Sequence, residues 1–196
     1  MRFAPLDDAG HRVGGGDTDA PKGSNVGGDS GAFFGKNRKL RRRSLEEEGI
    51  PFGVHAHLGS QFQSQSEIDY VMANTDPKHV RFVLDTGHIT MAGMDPIALA
   101  KRLGSRVVEF HMKDTKPEDR GGATNVPSQG VDQMKDPYFF PLGNGGVDFL
   151  ALKAHLDSIQ WKGFLVVELD TSPWRPPKKS ARITANYIRK TMKMDL

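Results

Sequence analysis

Four apolar runs in this sequence each end in residue types that bind metals or move protons. Val54-His55-Ala56-His57-Leu58 offers two imidazoles, and Leu84-Asp85-Thr86-Gly87-His88 a carboxylate and an imidazole. Phe110-His111-Met112-Lys113-Asp114 offers an imidazole, an amine and a carboxylate, and Val166-Val167-Glu168-Leu169-Asp170 two carboxylates. A lone His at a strand end is ordinarily a hydrogen-bonded structural residue, and a lone Asp there a helix cap. Four such positions in succession point instead to one shared site. Cysteine is absent, so disulfides and thiolate ligands are excluded and a metal would be held by nitrogen and oxygen. A mixed imidazole and carboxylate set suits Mn²⁺, Co²⁺, Zn²⁺ or Fe²⁺ better than Ca²⁺.

The elements that must position these residues alternate between strand and helix. The first strand is expected over Phe52 to Leu58, with a helix near Ser66 to Asn74 after Ser64 and Glu67 at capping-box spacing. The second strand is Val80 to Asp85. Asp95 before Pro96 then caps a helix that Gly104 closes after Leu103. The third strand is Val107 to Met112, followed by a long connection, Lys116 to Gly146, and a helix over Phe149 to Ile159 capped by Asp148. The fourth strand is Phe164 to Leu169, and a last helix runs from Lys179 to Met192. Val-, Leu- and Phe-rich strands separated by amphipathic helices make parallel β/α units. Such units place the C-terminal ends of their strands around the active site, so His, Asp, His and Glu from successive strands face one mouth. Periodicity alone fits either an open doubly wound sheet or half of a barrel.

Composition bounds the rest. The chain has 196 residues, fewer than the ~250 of a complete (β/α)8 barrel. It has no apolar run of membrane-spanning length and no apolar signal-peptide core, and a cytoplasmic location is expected. Met1 to Gly35 is rich in Gly with Asp, Ser, Asn and Pro, and reads as irregular or disordered, with Phe33-Phe34 as its one apolar anchor. Lys36, Arg38, Lys39, Arg41, Arg42 and Arg43 form a basic cluster. Glu46, Glu47 and Glu48 follow it, which makes a salt-bridged helix ending at Gly49 the better reading and nucleic acid an unexpected partner.

Asp85-Thr86-Gly87-His88, the His111-Met112-Lys113-Asp114 strand end and Val167-Glu168 together resemble the xylose-isomerase-like barrel superfamily. Within it the sequence is most similar to the sugar phosphate isomerase/epimerase group that includes inosose dehydratases. His55-Ala56-His57-Leu58-Gly59-Ser60 looks like the fifth strand of that barrel. Pro141-Leu142-Gly143-Asn144-Gly145-Gly146-Val147-Asp148-Phe149 looks like its loop into the last unit. The resemblance implies an α/β fold in which residues 36–196 form the C-terminal half, about strands five to eight, of a TIM-like barrel. It implies Asp85, His111 and Glu168 as metal ligands, with His57 where many epimerases carry a Glu. His88 would bind a substrate oxygen, Lys113 would bind substrate or orient His111, and Glu168 would move the proton.

The activity implied is a metal-dependent isomerase or epimerase, or a dehydratase. It would act through an enediolate on a sugar, a sugar phosphate or an inosose, with Mn²⁺ or Co²⁺ as the expected metal and Zn²⁺ as the next choice. Alternatives are an inactive fragment of such an enzyme and an apurinic-site endonuclease, which shares the barrel. Four β/α units in place of eight also predict exposed sheet edges, and hence self-association through them.

Overall fold

In a computed structural model of the chain, residues 52–123, 139–170 and 176–195 are described. The expectations for the Gly-rich segment, the basic helix and its Phe33-Phe34 anchor lie outside them. Four strands, β1 (Phe52–His55), β2 (Val80–Asp85), β3 (Val107–Met112) and β4 (Phe164–Val167), form one sheet in the order β1-β2-β3-β4. Every neighbouring pair is parallel, with Asp85 opposite His111 and His111 opposite Val166. The helices are α1 (Gln65–Ala73), α2 (Thr86–Met91), α3 (Pro96–Leu103), α4 (Phe149–Ser158) and α5 (Pro177–Tyr187), the last continued by a π-helical turn, Ile188–Met192. This is a parallel β/α arrangement, as expected.

Alternation along the strands decides what each face does. Phe82 and Leu84 of β2, with Phe110 and Met112 of β3, are buried in one cluster with Ile68 of α1, Ile89 of α2, Leu99 of α3 and Phe149 and Leu152 of α4. Truncating one of these large side chains, Phe82→Ala for instance, would cost ~3–5 kcal/mol. The alternate residues, Asp85, Glu109 and His111, stand on the opposite face, where the polar site is built.

β2, β3 and α3 have the expected bounds. Asp95 caps α3 by accepting from Ile97 N and Ala98 N, and the Ser64–Glu67 capping box is formed at α1. β1 ends at His55, three residues early, because the chain turns there. His57 N donates to Phe62 O at 2.9 Å and Ser60 N to His57 O at 3.1 Å, while Gly59 takes φ +85°. β4 ends at Val167, although Glu168 N still donates to Met112 O at 3.1 Å. α2 was not expected. Asp85 caps it through an Oδ1 that accepts from His88 N, and all six of its residues are buried.

The glycine-rich return before α4 is organised by one carboxylate. Asp114 is fully buried and accepts from the backbone N–H groups of Thr115, Gly143, Gly145 and Val147 at 2.9–3.0 Å. A side chain at Gly145 would collide with Thr115 O and with Asp114 itself, so the backbone can wrap this closely only where Cβ is missing. At the sheet edges, Phe52 of β1 and Phe164, Val166 and Val167 of β4 are exposed. Among the described residues, no helix is long and apolar enough to cross a membrane.

Candidate metal centre

Asp85 is the anchor of the site. It is fully buried, and its Oδ1 is used to cap α2, accepting from His88 N at 2.8 Å. Its Oδ2 makes no hydrogen bond, yet three groups approach it. His55 Nε2 lies at 3.5 Å, His111 Nδ1 at 3.8 Å and Lys113 Nζ at 3.1 Å. Glu168 Oε2 completes the group at 2.7 Å from His111 Nδ1.

Four of these atoms, His55 Nε2, Asp85 Oδ2, His111 Nδ1 and Glu168 Oε2, are buried without a hydrogen-bond partner. Leaving a buried polar atom unsatisfied costs ~1–3 kcal/mol. His55 Nε2, Asp85 Oδ2 and His111 Nδ1 bring their ligand atoms within 4.8 Å of one another and Glu168 Oε2 joins them through His111, and two nitrogens with two oxygens fit a divalent transition-metal ion. On the other side of His111, Nε2 meets Glu109 Oε1 at 3.0 Å, the carboxylate contact that fixes ring orientation and tautomer in metal-binding histidines.

A second set of donors adjoins the first. One ligand atom each from His57, His88 and Asp170 lies within 4.8 Å of the others, as is also true of His55, Asp85 and His111. The His57 and His88 rings overlap with centroids 3.7 Å apart, and His88 Nε2 is 3.5 Å from Asp170 Oδ2. Lys113 lies between the sets. Its side chain is fully buried, with Nζ 2.8 Å from Asp170 Oδ1, 3.1 Å from His88 Nε2 and 3.6 Å from Glu168 Oε1. The Phe139 ring closes the far side at 4.9 Å.

Charge follows from these contacts. For Asp85, burial favours the neutral acid, but His55, Lys113 and His88 outweigh it and hold the carboxyl well below its usual range. His88 is pushed down to about 3 by burial, against the pull of Asp85, so its imidazole is neutral. Contact with Glu168 raises His111, and the same contact lowers Glu168 to about 2, so the two report one ionic pair. Burial alone would lower Lys113, but Asp85, Asp170 and Glu168 raise it above its ordinary value.

The sequence reading and the geometry agree on gathering Asp85, His111 and Glu168. They differ at the first strand, where His55 joins that group. His57, expected there, lies instead against His88, because the strand ends at His55 and the turn carries the next histidine out of the sheet. Lys113 reaches Asp85, Glu168, Asp170 and His88. Glu109 was not singled out from the sequence, although its place two residues before His111 on one strand face was a usable signal.

A family model described as Xylose isomerase-like TIM barrel matches residues 38–191. An inosose dehydratase of Lactiplantibacillus plantarum is 35% identical over 144 residues, 72% of this chain and 47% of that protein. The chain thus spans about half the length of the curated relatives it matches. Among solved structures, a xylose isomerase domain protein from Planctomyces limnophilus superposes with a TM-score of 0.60 at 15% identity, covering 87% of this chain and 58% of that one. The IOLI protein, whose crystal structure holds a zinc atom, superposes with a TM-score of 0.51 at 20% identity, covering 76% of this chain and 53% of that one. At these identities the superpositions show the fold.

Proposed function

Because this chain belongs to the xylose isomerase-like TIM barrel family, whose members similar to it include inosose dehydratases, we propose that it carries the metal and proton-transfer centre of a sugar- or polyol-modifying enzyme. The reaction is removal of the proton next to a ketone carbonyl of an inosose or ketose. Loss of a β-hydroxyl from the resulting enediolate gives dehydration, and reprotonation gives isomerisation or epimerisation. Dehydration is the outcome we favour, since inosose dehydratases recur among the relatives. The observation that carries the reading is that His55, Asp85 and His111, from three successive strands, bring ligand atoms within 4.8 Å of one another, with Glu168 from the fourth set against His111.

His55, Asp85, His111 and Glu168 would hold a divalent ion, for which Mn²⁺ and Co²⁺ are our first choices and Zn²⁺, found in the IOLI protein, the next. Such an ion supplies Lewis-acid polarisation of a substrate carbonyl. Glu168 divides its two oxygens between tasks. Oε2 faces His111 and the donor set, and Oε1, 3.6 Å from Lys113 Nζ, is the atom at which we place the proton. A neutral His88 binds a substrate hydroxyl without adding charge to the mouth. Lys113 offers fixed positive charge opposite the developing oxyanion.

Exchange of the substrate α-proton with deuterated water, with metal in excess, tests the proposal. Metal-dependent exchange on an inosose supports it. Absence of exchange on inososes and ketoses alike, from a chain shown to be metal-loaded, contradicts it.

A further inference from the structure

Two donor sets side by side are the arrangement that holds two metal ions, and here a lysine is built into the space between them. Lys113 Nζ contacts the first set through Asp85 Oδ2 at 3.1 Å and Glu168 Oε1 at 3.6 Å. It contacts the second through His88 Nε2 at 3.1 Å and Asp170 Oδ1 at 2.8 Å. We propose that the Lys113 ammonium stands where a second metal ion would otherwise be held, so that the centre takes a single divalent cation. This rests on the reading that His55, Asp85, His111 and Glu168 bind one.

The backbone around Lys113 keeps the ammonium in this place. Thr86 Oγ1 accepts from Lys113 N at 2.9 Å and donates to Lys113 O at 2.7 Å, fixing the start of the side chain on α2. The aliphatic stem then crosses Gly87, where an added Cβ would meet Lys113 Cγ at 2.7 Å and its Cβ and Cδ at 2.9 Å. Any other residue at 87 would block that path. The stem is enclosed, and the Phe139 ring lies over the ammonium, an arrangement that favours a cation.

Charge supplies the second argument. Asp85, Glu168 and Asp170 bring three negative charges to the ammonium, which neutralises one of them. A single divalent ion neutralises the other two. A second ion beside a charged lysine would leave these four side chains with a net charge of about +2, and like charges at such short range repel. With Lys113 removed, His57, His88 and Asp170 become a free set of two nitrogens and one oxygen, suited to the same metals.

The test is metal stoichiometry of the full chain after dialysis against Zn²⁺, read by elemental analysis and calorimetric titration. The unmutated chain is expected to hold one ion and Lys113→Met two, and the double variant Lys113→Met/His88→Ala returns to one. Lys113→Gln, which keeps a hydrogen-bonding tip and removes only the charge, replaces Lys113→Met if circular dichroism shows that variant unfolded, with the same expectation. Two ions in the unmutated chain, or one in the folded lysine variant, overturn the inference while leaving the metal reading intact. No ion in the unmutated chain overturns both.

Discussion

Glu168 Oε2 stands 2.7 Å from His111 Nδ1, and neither atom has a hydrogen-bond partner beyond the other, so the two act as one ionic pair. Without metal, the pair is satisfied by protonating the imidazole, which is why His111 is raised above 6.5 and Glu168 is lowered from 4.5 to about 2. The linkage has a definite sign. The raised His111 contributes stability that is complete below 6.5 and lost as pH rises through its folded pKa. The lowered Glu168 contributes stability that is complete above 4.5 and lost as pH falls toward about 2. Urea midpoints of the metal-free chain should therefore show the pair's full contribution between 4.5 and 6.5. The His111→Ala/Glu168→Ala double variant should lack that part of the profile.

Metal affinity follows the opposite course. His111 Nδ1 can bind an ion only after losing its proton, so affinity for Mn²⁺ or Co²⁺ should rise with pH through the His111 pKa, by up to ~10-fold per pH unit below it. Calorimetric titration at several pH values checks this. A flat profile across that range would show that His111 does not enter the metal-binding step.

Glu168→Gln keeps one oxygen ligand and removes the base. It should slow α-proton exchange by ~100-fold or more while leaving substrate affinity much less changed. Asp170 is the rival. Its Oδ1 is 2.8 Å from Lys113 Nζ, which makes it a holder of that lysine. Asp170→Asn should therefore reduce exchange less than Glu168→Gln. The reverse order of effects would move the base to Asp170.

Asp114 lies outside the chemistry but sets the loop above it. Asp114→Ala would leave four backbone N–H groups of the Gly143–Val147 return and Thr115 without their acceptor. At ~1–3 kcal/mol for each buried donor left unpaired, the loss should be at least ~3 kcal/mol, readable as a lower urea midpoint. A change under ~1 kcal/mol would mean that water replaces the carboxylate readily.

These assignments also show where the sequence was legible. β2, β3 and α3 could be bounded because their ends carry chemical punctuation: Asp85 after an apolar run, Asp95-Pro96 at a helix start, Gly104 at its end. α2 could not. Thr86–Met91 is buried on every side, so it has no polar face to give a helical period, and its first residues read as a ligand motif. His55 and His57 share a strand face by alternation. Only the turn after His55, made by backbone bonds to Phe62 and His57, separates their roles. The burial of Lys113 was equally hidden, since it depends on Gly87 leaving room for a stem from the next strand.

Calorimetric titration of histidine variants with Mn²⁺ or Zn²⁺ shows whether His55, Asp85, His111 and Glu168 share one ion. The unmutated chain should bind, and His111→Ala and His55→Ala should weaken binding by at least the ~10–100-fold that loss of an outer-shell partner costs. His79, beside Asp76, and His155, on α4, stand apart from the site, and His79→Ala and His155→Ala should bind as the unmutated chain does. His57→Ala should fall within a few-fold of it. Equal losses in all five variants, or full affinity in His55→Ala with loss in His57→Ala, would show that these four residues do not share an ion.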